Sequence, residues 1–197
     1  MELDNMKNYD VIVVGGGHAG VEASMAVAHM GLHVLLCTLN KKMISNMPCN
    51  PSIGGSAKGI VVREVDALGG MMGIAADHEF IQMKMLNTGK GPGVQCLRAQ
   101  EDKYNYPHYM QSLLEDEPNL DIKECMVVDI LHEGKTIKGV KTSDDEIIFS
   151  NAVVLSTGTY MESHIIRGTS SVSGGPDGEN PSIGLSDSLR KMGLELY

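Results

Sequence analysis

The chain has 197 residues, enough for one domain with a sizeable core, and 42% of them are hydrophobic, as in a globular protein. Its net charge of −9 argues against a nucleic-acid surface on this part of the chain, because phosphate contacts need clustered lysine and arginine. It has no apolar run of membrane-spanning length and no signal-peptide pattern in the first ten residues, so we expect a cytoplasmic protein without membrane segments. It also has no Cys-x-x-Cys pair and only four cysteines, so we expect reduced thiols and neither a structural metal site nor a disulfide framework.

The first forty residues predict a parallel βαβ unit. Tyr9–Val14 is a short apolar strand, and the turn Gly15-Gly16-Gly17-His18-Ala19-Gly20 follows it directly. Ala19–Met30 is rich in alanine and methionine and predicts a helix that Gly31 ends. Leu32–Thr38 is a second apolar strand, which completes the unit.

The glycine turn has the pattern that binds the pyrophosphate of a dinucleotide. Gly15 permits a tight turn, Gly17 lets the backbone approach the phosphates, and Gly20 lets the helix pack closely on the strand. The helix N-terminus adds free N–H groups and the positive end of its dipole. The sequence therefore predicts a nucleotide cradle here, with His18 as a turn residue near the cofactor.

Two further segments belong to this predicted cradle. The second strand of such a unit usually ends in an acidic residue that binds the ribose, whereas here Thr38 or Asn40 offers a neutral hydrogen bond. Ala152–Ser156 is apolar throughout and predicts another central parallel strand, which ends in the turn Thr157-Gly158. In flavoproteins with two dinucleotide folds, such a strand and turn pass near the flavin nucleotide.

The middle of the chain predicts mixed elements. The expected elements, in chain order, are a loop over Asn40–Gly55, a helix over Ser56–Leu68, a short strand over Ile81–Leu86, a loop over Asn87–Gly93 and a helix over Arg98–Glu115. Pro107 should kink the last helix or mark a new start.

The last third of the chain changes to short β-rich runs separated by turn sequences, so we expect a β-meander over residues of about 120–150. Gly168–Asn180 predicts a loop and Pro181–Met192 a final helix. Residues 194–197 resemble the first residues of a further strand, so we expect residues 1–197 to form an incomplete domain.

Cys49 is the candidate nucleophile. It lies between Pro48 and Pro51, just before a glycine pair and a predicted helix start, and a thiol near a helix N-terminus has a lowered pKa. The alternative for any single cysteine is a small buried hydrophobe, which we favour for Cys37 and Cys125 because both lie in predicted strands. Cys96 has no assignable role.

Several motifs occur in an order that resembles the glucose-inhibited division protein A family, also called MnmG. They are Gly15–Gly20, Cys49-Asn50-Pro51-x-Ile53-Gly54-Gly55, Lys58-Gly59, Glu64-Val65-Asp66-Ala67-Leu68-Gly69-Gly70, Lys90-Gly91-Pro92 and Arg98-Ala99-Gln100. The resemblance extends from Tyr9 to the last helix. It implies an α/β, Rossmann-like FAD-binding fold with a parallel central sheet, a βαβ start at the glycine turn and an inserted β-meander.

The resemblance also implies a function and its components. Members of the family are flavoenzymes that modify C5 of the wobble uridine of tRNA, with methylene-tetrahydrofolate as one-carbon donor, NADH as reductant, a partner GTPase (MnmE) and a homodimeric assembly. Carried over by motif, the glycine turn binds FAD, Val127 and Ser182 are further FAD contacts, and Cys49 takes part in catalysis. The tRNA surface would lie in regions beyond Tyr197, so this chain alone should be inactive.

Other functions stay open at this point. A folate-dependent tRNA uridine methyltransferase is a related flavoprotein, but it should lack the Cys49-Asn50-Pro51 block. A general FAD/NAD(P)H oxidoreductase with a redox disulfide should have a Cys-x-x-Cys pair, which this sequence does not have. A third alternative is an inactive fragment with exposed apolar surface where other domains would dock.

Overall fold

The computed structural model describes residues 8–48, 50–175, 178 and 180–196, and within them the chain forms an α/β fold. The strands are β1 (Asn8–Val14), β2 (Val34–Thr38), β3 (Ser52–Gly54), β4 (Phe80–Leu86), β5 (Cys96–Glu101), β6 (Leu120–Glu124), β7 (Val127–Glu133), β8 (Thr136–Thr142), β9 (Ile147–Leu155), β10 (His164–Arg167) and β11 (Ser170–Ser173). The helices are α1 (His18–His29), α2 (Lys58–Ala67), α3 (Met72–Glu79), α4 (Asn105–Glu115) and α5 (Leu185–Lys191), with 3₁₀ turns at Lys41–Met43 and Pro92–Val94.

The central sheet has six strands in the order β6-β2-β1-β9-β8-β7. Its first four strands are parallel, and β9, β8 and β7 are joined by antiparallel hairpins. The predicted βαβ unit and the central position of the strand that ends at Leu155 are therefore confirmed. The meander predicted over about 120–150 is antiparallel only from Val127 onward. Its first strand, Leu120–Glu124, instead pairs in parallel with β2.

Both faces of this sheet are covered, which explains why its strands are continuous apolar runs. On one face Val13, Val34 and Leu36 pack against α1 and α4. On the other face Ile12, Leu35 and Cys37 pack against β7 and α5. Alternate side chains of β1 and β2 therefore enter two different cores, and the sheet forms the middle layer of the fold.

A smaller antiparallel sheet, in the order β3-β5-β4, lies with α2 and α3 beside the central layer. The Cα partners Ile53 and Ala99, and Met83 and Ala99, place β5 in the middle of this sheet. Strand β4 is at its edge and is exposed along almost its whole length. The predicted helix from Ser56 is confirmed as α2, but Ile60 and Val61 on it are more than half exposed.

The helix predicted over Arg98–Glu115 is wrong in its first half. Residues up to Glu101 belong to β5, and the helix begins only at Asn105. The Asp102 side chain accepts hydrogen bonds from the backbone N–H groups of Tyr104 and Asn105, both at 2.9 Å, and so starts the new helix. Pro107 lies in the first turn, where an intrahelical N–H is not required, so it marks a new start.

Two predicted loops contain regular structure. The segment Asn40–Gly55 includes a 3₁₀ turn and β3, and Gly168–Asn180 includes β11, which pairs with β10. Helix α3 was not predicted. The first residues of the chain, Cys49 and Tyr197 lie outside the described residues, as do three positions in the predicted loop before Asn180. Among the helices of the described residues, none is long and apolar enough to cross a membrane.

Candidate functional site

The glycine turn joins β1 to α1 and is held by backbone contacts. Gly15 has φ of +113°, and a Cβ there would lie 2.3 Å from the carbonyl oxygen of Ser156. A Cβ at Gly20 would lie 1.8 Å from the carbonyl oxygen of Gly15. These two positions therefore require glycine for the fold itself, because a side chain would push β1, β9 and α1 apart.

Gly17 differs from its neighbours because nothing lies within 4 Å of the position of its Cβ. Its φ of −71° and ψ of 177° are open to any residue, and it caps α1 without a side-chain hydrogen bond. The first turn of α1 also has no acidic residue. The positive end of the α1 dipole therefore lies next to the open space at Gly17, as an anion-binding turn requires.

A cleft of about 310 Å³, called here the first cleft, opens at the carboxyl ends of the parallel strands. Eight of the predicted site residues line it together: Gly15, Gly16, Gly17, Thr38, Val127, Thr157, Gly158 and Ser182. The other three cradle residues are placed differently, since Ala19 and Gly20 lie in α1 and His18 lines a neighbouring cleft. The structure thus brings together residues that are up to 167 positions apart (Gly15 to Ser182).

The edge of the first cleft at the end of β2 has no charged side chain among its described lining residues. The Thr38 hydroxyl donates to the Asn40 carbonyl oxygen at 3.3 Å, and the Asn40 side chain accepts from the backbone N–H of Lys42 at 3.0 Å. Glu124, at the end of the adjacent strand β6, accepts from the backbone N–H of Lys41 at 2.9 Å. Thr38 and Asn40 therefore occupy the place where related folds have an acidic residue.

A second cleft of about 590 Å³ adjoins the first, and both are lined by Asn46 and Pro48. Its walls come from the segment before β3 and from α2, including Lys58. Cys49 lies outside the described residues, but Pro48 and Asn50 on either side of it in the chain both line this cleft. The predicted nucleophile is therefore bracketed by residues of the second cleft.

His18 stands at the inner wall of the second cleft. Its ring stacks on Tyr106 with centroids 5.7 Å apart, and its Nε2 has no hydrogen-bond partner among the described residues. Burial lowers the pKa of His18, so its imidazole is neutral at neutral pH. The structure therefore buries a neutral imidazole beside the glycine turn, with its Nε2 shielded from solvent.

Cys37 and Cys125 are among the lining residues of the first cleft that the sequence does not predict as site residues. Cys37 directly precedes Thr38, the last residue of β2, and Cys125 lies directly after β6 and not within a strand, contrary to the prediction for that residue. Both positions follow from the same rule as the rest of the site, because they are at the carboxyl ends of parallel strands. Cys37 still contributes to a core, with a side chain that is 1% exposed.

Comparisons with known proteins identify the family. The family model described as Glucose inhibited division protein A matches residues 10–197. A curated Lactococcus lactis protein named tRNA uridine 5-carboxymethylaminomethyl modification enzyme MnmG is 53% identical over 98% of this chain, and a Streptococcus thermophilus protein of the same name is 54% identical over all of it. The chain spans 31% of the length of each of these two relatives.

Solved structures give the same result for the fold. A structure of Aquifex aeolicus GidA is 47% identical, with a TM-score of 0.94 over the whole of this chain and 32% of its own. A GidA-related protein from Thermus thermophilus has 20% identity and a TM-score of 0.70, over 96% of this chain and 70% of its own, and so shows the shared fold alone.

Proposed function

The chain belongs to the glucose-inhibited division protein A family, and from that premise we propose that it binds FAD as part of an enzyme that modifies the wobble uridine of tRNA. The observation that carries the proposal is the open backbone at Gly17, in a turn whose other glycines are closely packed. That turn leaves room for a pyrophosphate beside the start of α1, and a side chain at Gly17 would occupy the same space.

The first cleft would hold the pyrophosphate and the adenosine half of FAD. The pyrophosphate would lie on Gly15–Gly17 and the start of α1, and the ribose of the adenosine half would meet Thr38. Val127 and Ser182, together with Thr157-Gly158, form the opposite wall. Because the second cleft shares Asn46 and Pro48 with the first, the isoalloxazine ring would extend toward the second cleft.

The chemistry proposed for the whole enzyme follows its relatives. Bound FAD would supply the redox chemistry that transfers a one-carbon unit, with methylene-tetrahydrofolate as donor and NADH as reductant. Cys49 would act as the thiol that adds to C6 of uridine and so activates C5. The position of Pro48 and Asn50 at the second cleft supports this role.

The tRNA surface, the contacts of the partner GTPase MnmE and the homodimer contacts are proposed for the parts of the protein that correspond to the remaining two thirds of its relatives. Residues 1–197 would then be an incomplete FAD-binding domain in a cytoplasmic enzyme. By itself this chain would not modify tRNA.

The test is a Gly17→Val variant of the 197-residue chain, titrated with FAD and followed by the fluorescence anisotropy of the flavin. The new side chain has space in the empty fold, so the variant should fold, but it occupies the pyrophosphate position. We expect at least a tenfold rise in Kd, about 1.4 kcal/mol or more.

Gly91→Val is the matched control. Gly91 also has nothing within 4 Å of its Cβ position and an extended backbone with φ of −59°, but it lies outside both clefts. Equal FAD affinity in the two variants, or no binding by the parent chain, would contradict the proposal.

A further inference from the structure

Two cysteine thiols meet at the ribose end of the first cleft. Cys37 and Cys125 lie at the ends of the adjacent parallel strands β2 and β6, in which Thr38 and Glu124 are register partners. The Cys125 N–H donates to the Thr38 carbonyl oxygen at 2.9 Å, which fixes the two backbones against each other. Both side chains line the cleft.

The two side chains are hydrogen-bonded to each other, with the Cys37 thiol as donor. This hydrogen bond raises the pKa of Cys37, and the same hydrogen bond, with a further contribution from the positive charge of Lys123, lowers the pKa of Cys125. Both cysteines are free, and Cys37 is buried whereas Cys125 is half-buried. Cys125 is therefore the more nucleophilic of two cysteines that lie side by side at the ends of paired strands.

We propose that Cys37 and Cys125 are a modification site at which a small hydroperoxide forms a reversible disulfide when the first cleft is empty, and that a bound dinucleotide protects the pair. The cleft is the route by which a peroxide reaches Cys125, and a nucleotide seated on Thr38 and Val127 would close it. The protection rests on the proposed function, whereas the disulfide does not.

The reaction balances with the hydroperoxide as sole oxidant. The Cys125 thiolate attacks one peroxide oxygen, the O–O bond breaks, and the departing oxygen takes a proton to leave as water or an alcohol. Cys125 is then a sulfenic acid. The Cys37 sulfur attacks the Cys125 sulfur, the S–O bond breaks, and the leaving hydroxide departs as water with the Cys37 proton. Two thiols lose two electrons, and one peroxide gains them.

Peptide mapping distinguishes this pair from every other pair in the chain, because trypsin places each cysteine on its own peptide: 8–41, 43–58, 91–98 and 124–135. The reduced 197-residue chain is treated with hydrogen peroxide, with or without excess FAD, then alkylated and digested. We expect a cross-link between peptides 8–41 and 124–135 that dithiothreitol reverses, and that FAD slows at least tenfold.

Two variants complete the experiment. Cys125→Ser should abolish the cross-link. Cys96→Ser should not change it, because Cys96 is also buried but contacts Ser56 in another part of the molecule, at 3.6 Å between sulfur and hydroxyl oxygen.

The outcomes separate this inference from the proposed function. A chain that retains FAD but never joins peptides 8–41 and 124–135 would overturn the disulfide and leave the function standing. A cross-link at equal rates in free protein and in protein shown to hold FAD would overturn the protection. A cross-link in a chain that does not bind FAD would support the disulfide and contradict the proposed function.

Discussion

Glu101 places a carboxyl group inside the protein at the end of β5. Its side chain is 1% exposed, and neither carboxyl oxygen has a hydrogen-bond partner among the described residues. Burial, and then the nearby charges of Asp77 and Glu79, raise the pKa of Glu101 to about 7. Tyr106 is also buried, and its hydroxyl likewise has no hydrogen-bond partner among the described residues.

A Glu101→Gln variant tests the consequence for stability. The pKa of this carboxyl rises from 4.5 in the unfolded chain to about 7 in the folded chain, so folding binds a proton. Its stabilising contribution is fully present below about pH 4.5 and is lost as the pH rises through 7. At pH 8 the neutral glutamine should therefore raise the free energy of unfolding, on the order of 2 kcal/mol, with little change at pH 5.

Urea unfolding at pH 5, 6.5 and 8 measures this effect, and the exposed Glu115→Gln is the control. A wild-type chain and a Glu101→Gln variant with the same pH dependence would show that the carboxyl is ionised in the folded protein. No sequence pattern reveals Glu101, because its burial depends on β3 and β4 pairing on either side of it.

At the scale of elements, the sequence predicts those parts whose neighbours are close in the chain or whose side chains are buried on both faces. β1 and β2 are continuous apolar runs for this reason, and α1 follows its glycine turn directly. The second half of β9 is apolar too, although Val154 and Leu155 are exposed in this chain. Strands β3, β5 and β11 are short, and their pairing partners rather than their composition make them strands. For the same reason, the sequence from Arg98 predicts a helix, whereas residues up to Glu101 belong to β5 and the helix begins only at Asn105.

Helix α3 depends on a distant residue that no local pattern indicates. Glu22, on α1, accepts hydrogen bonds from the backbone N–H of Met71 at 3.0 Å and of Met72 at 2.7 Å. These are donors at the α3 N-terminus that the helix cannot satisfy itself, and a carboxylate there also complements the helix dipole. Glu22 thus joins the central layer to the smaller sheet and its helices.

We expect Glu22→Ala to lower the free energy of unfolding by about 1–2 kcal/mol, the usual cost of losing a cap. Amide hydrogen exchange should locate the loss, with faster exchange at Met71 and Met72 than in α4. The exposed Glu64→Ala on α2 is the control and should change neither quantity. Unchanged protection of the two amides in Glu22→Ala would show that α3 begins without this cap.

At the scale of the whole molecule, the strand order brings together residues that the sequence indicates only one by one. The glycine turn predicts the phosphate position, but Val127, Thr157 and Ser182 join it only because their segments end at the same edge of the sheet. The apolar side of β4, with Ile81, Met83 and Met85, remains exposed in this chain. The site is therefore predictable at its phosphate end from local sequence, and at its other walls from the resemblance to a family.

The charge of the molecule leads to a prediction about tRNA. With 16 basic and 25 acidic residues the chain has a net charge of −9, so it should repel a polyanion wherever salt does not screen the two charges from each other. We expect the 197-residue chain to bind tRNA with Kd weaker than about 10⁻⁴ M at physiological salt, the weak end of non-specific binding. A full-length relative, such as the Lactococcus lactis protein, should bind the same tRNA more tightly, with affinity that falls steeply as salt increases, because the regions beyond this chain are proposed to carry the tRNA surface. Filter binding of labelled tRNA across a salt series compares the two proteins. Tight, salt-sensitive binding by the chain alone would place phosphate contacts on residues 1–197 and contradict the proposal that the tRNA surface lies in the remaining part of the protein.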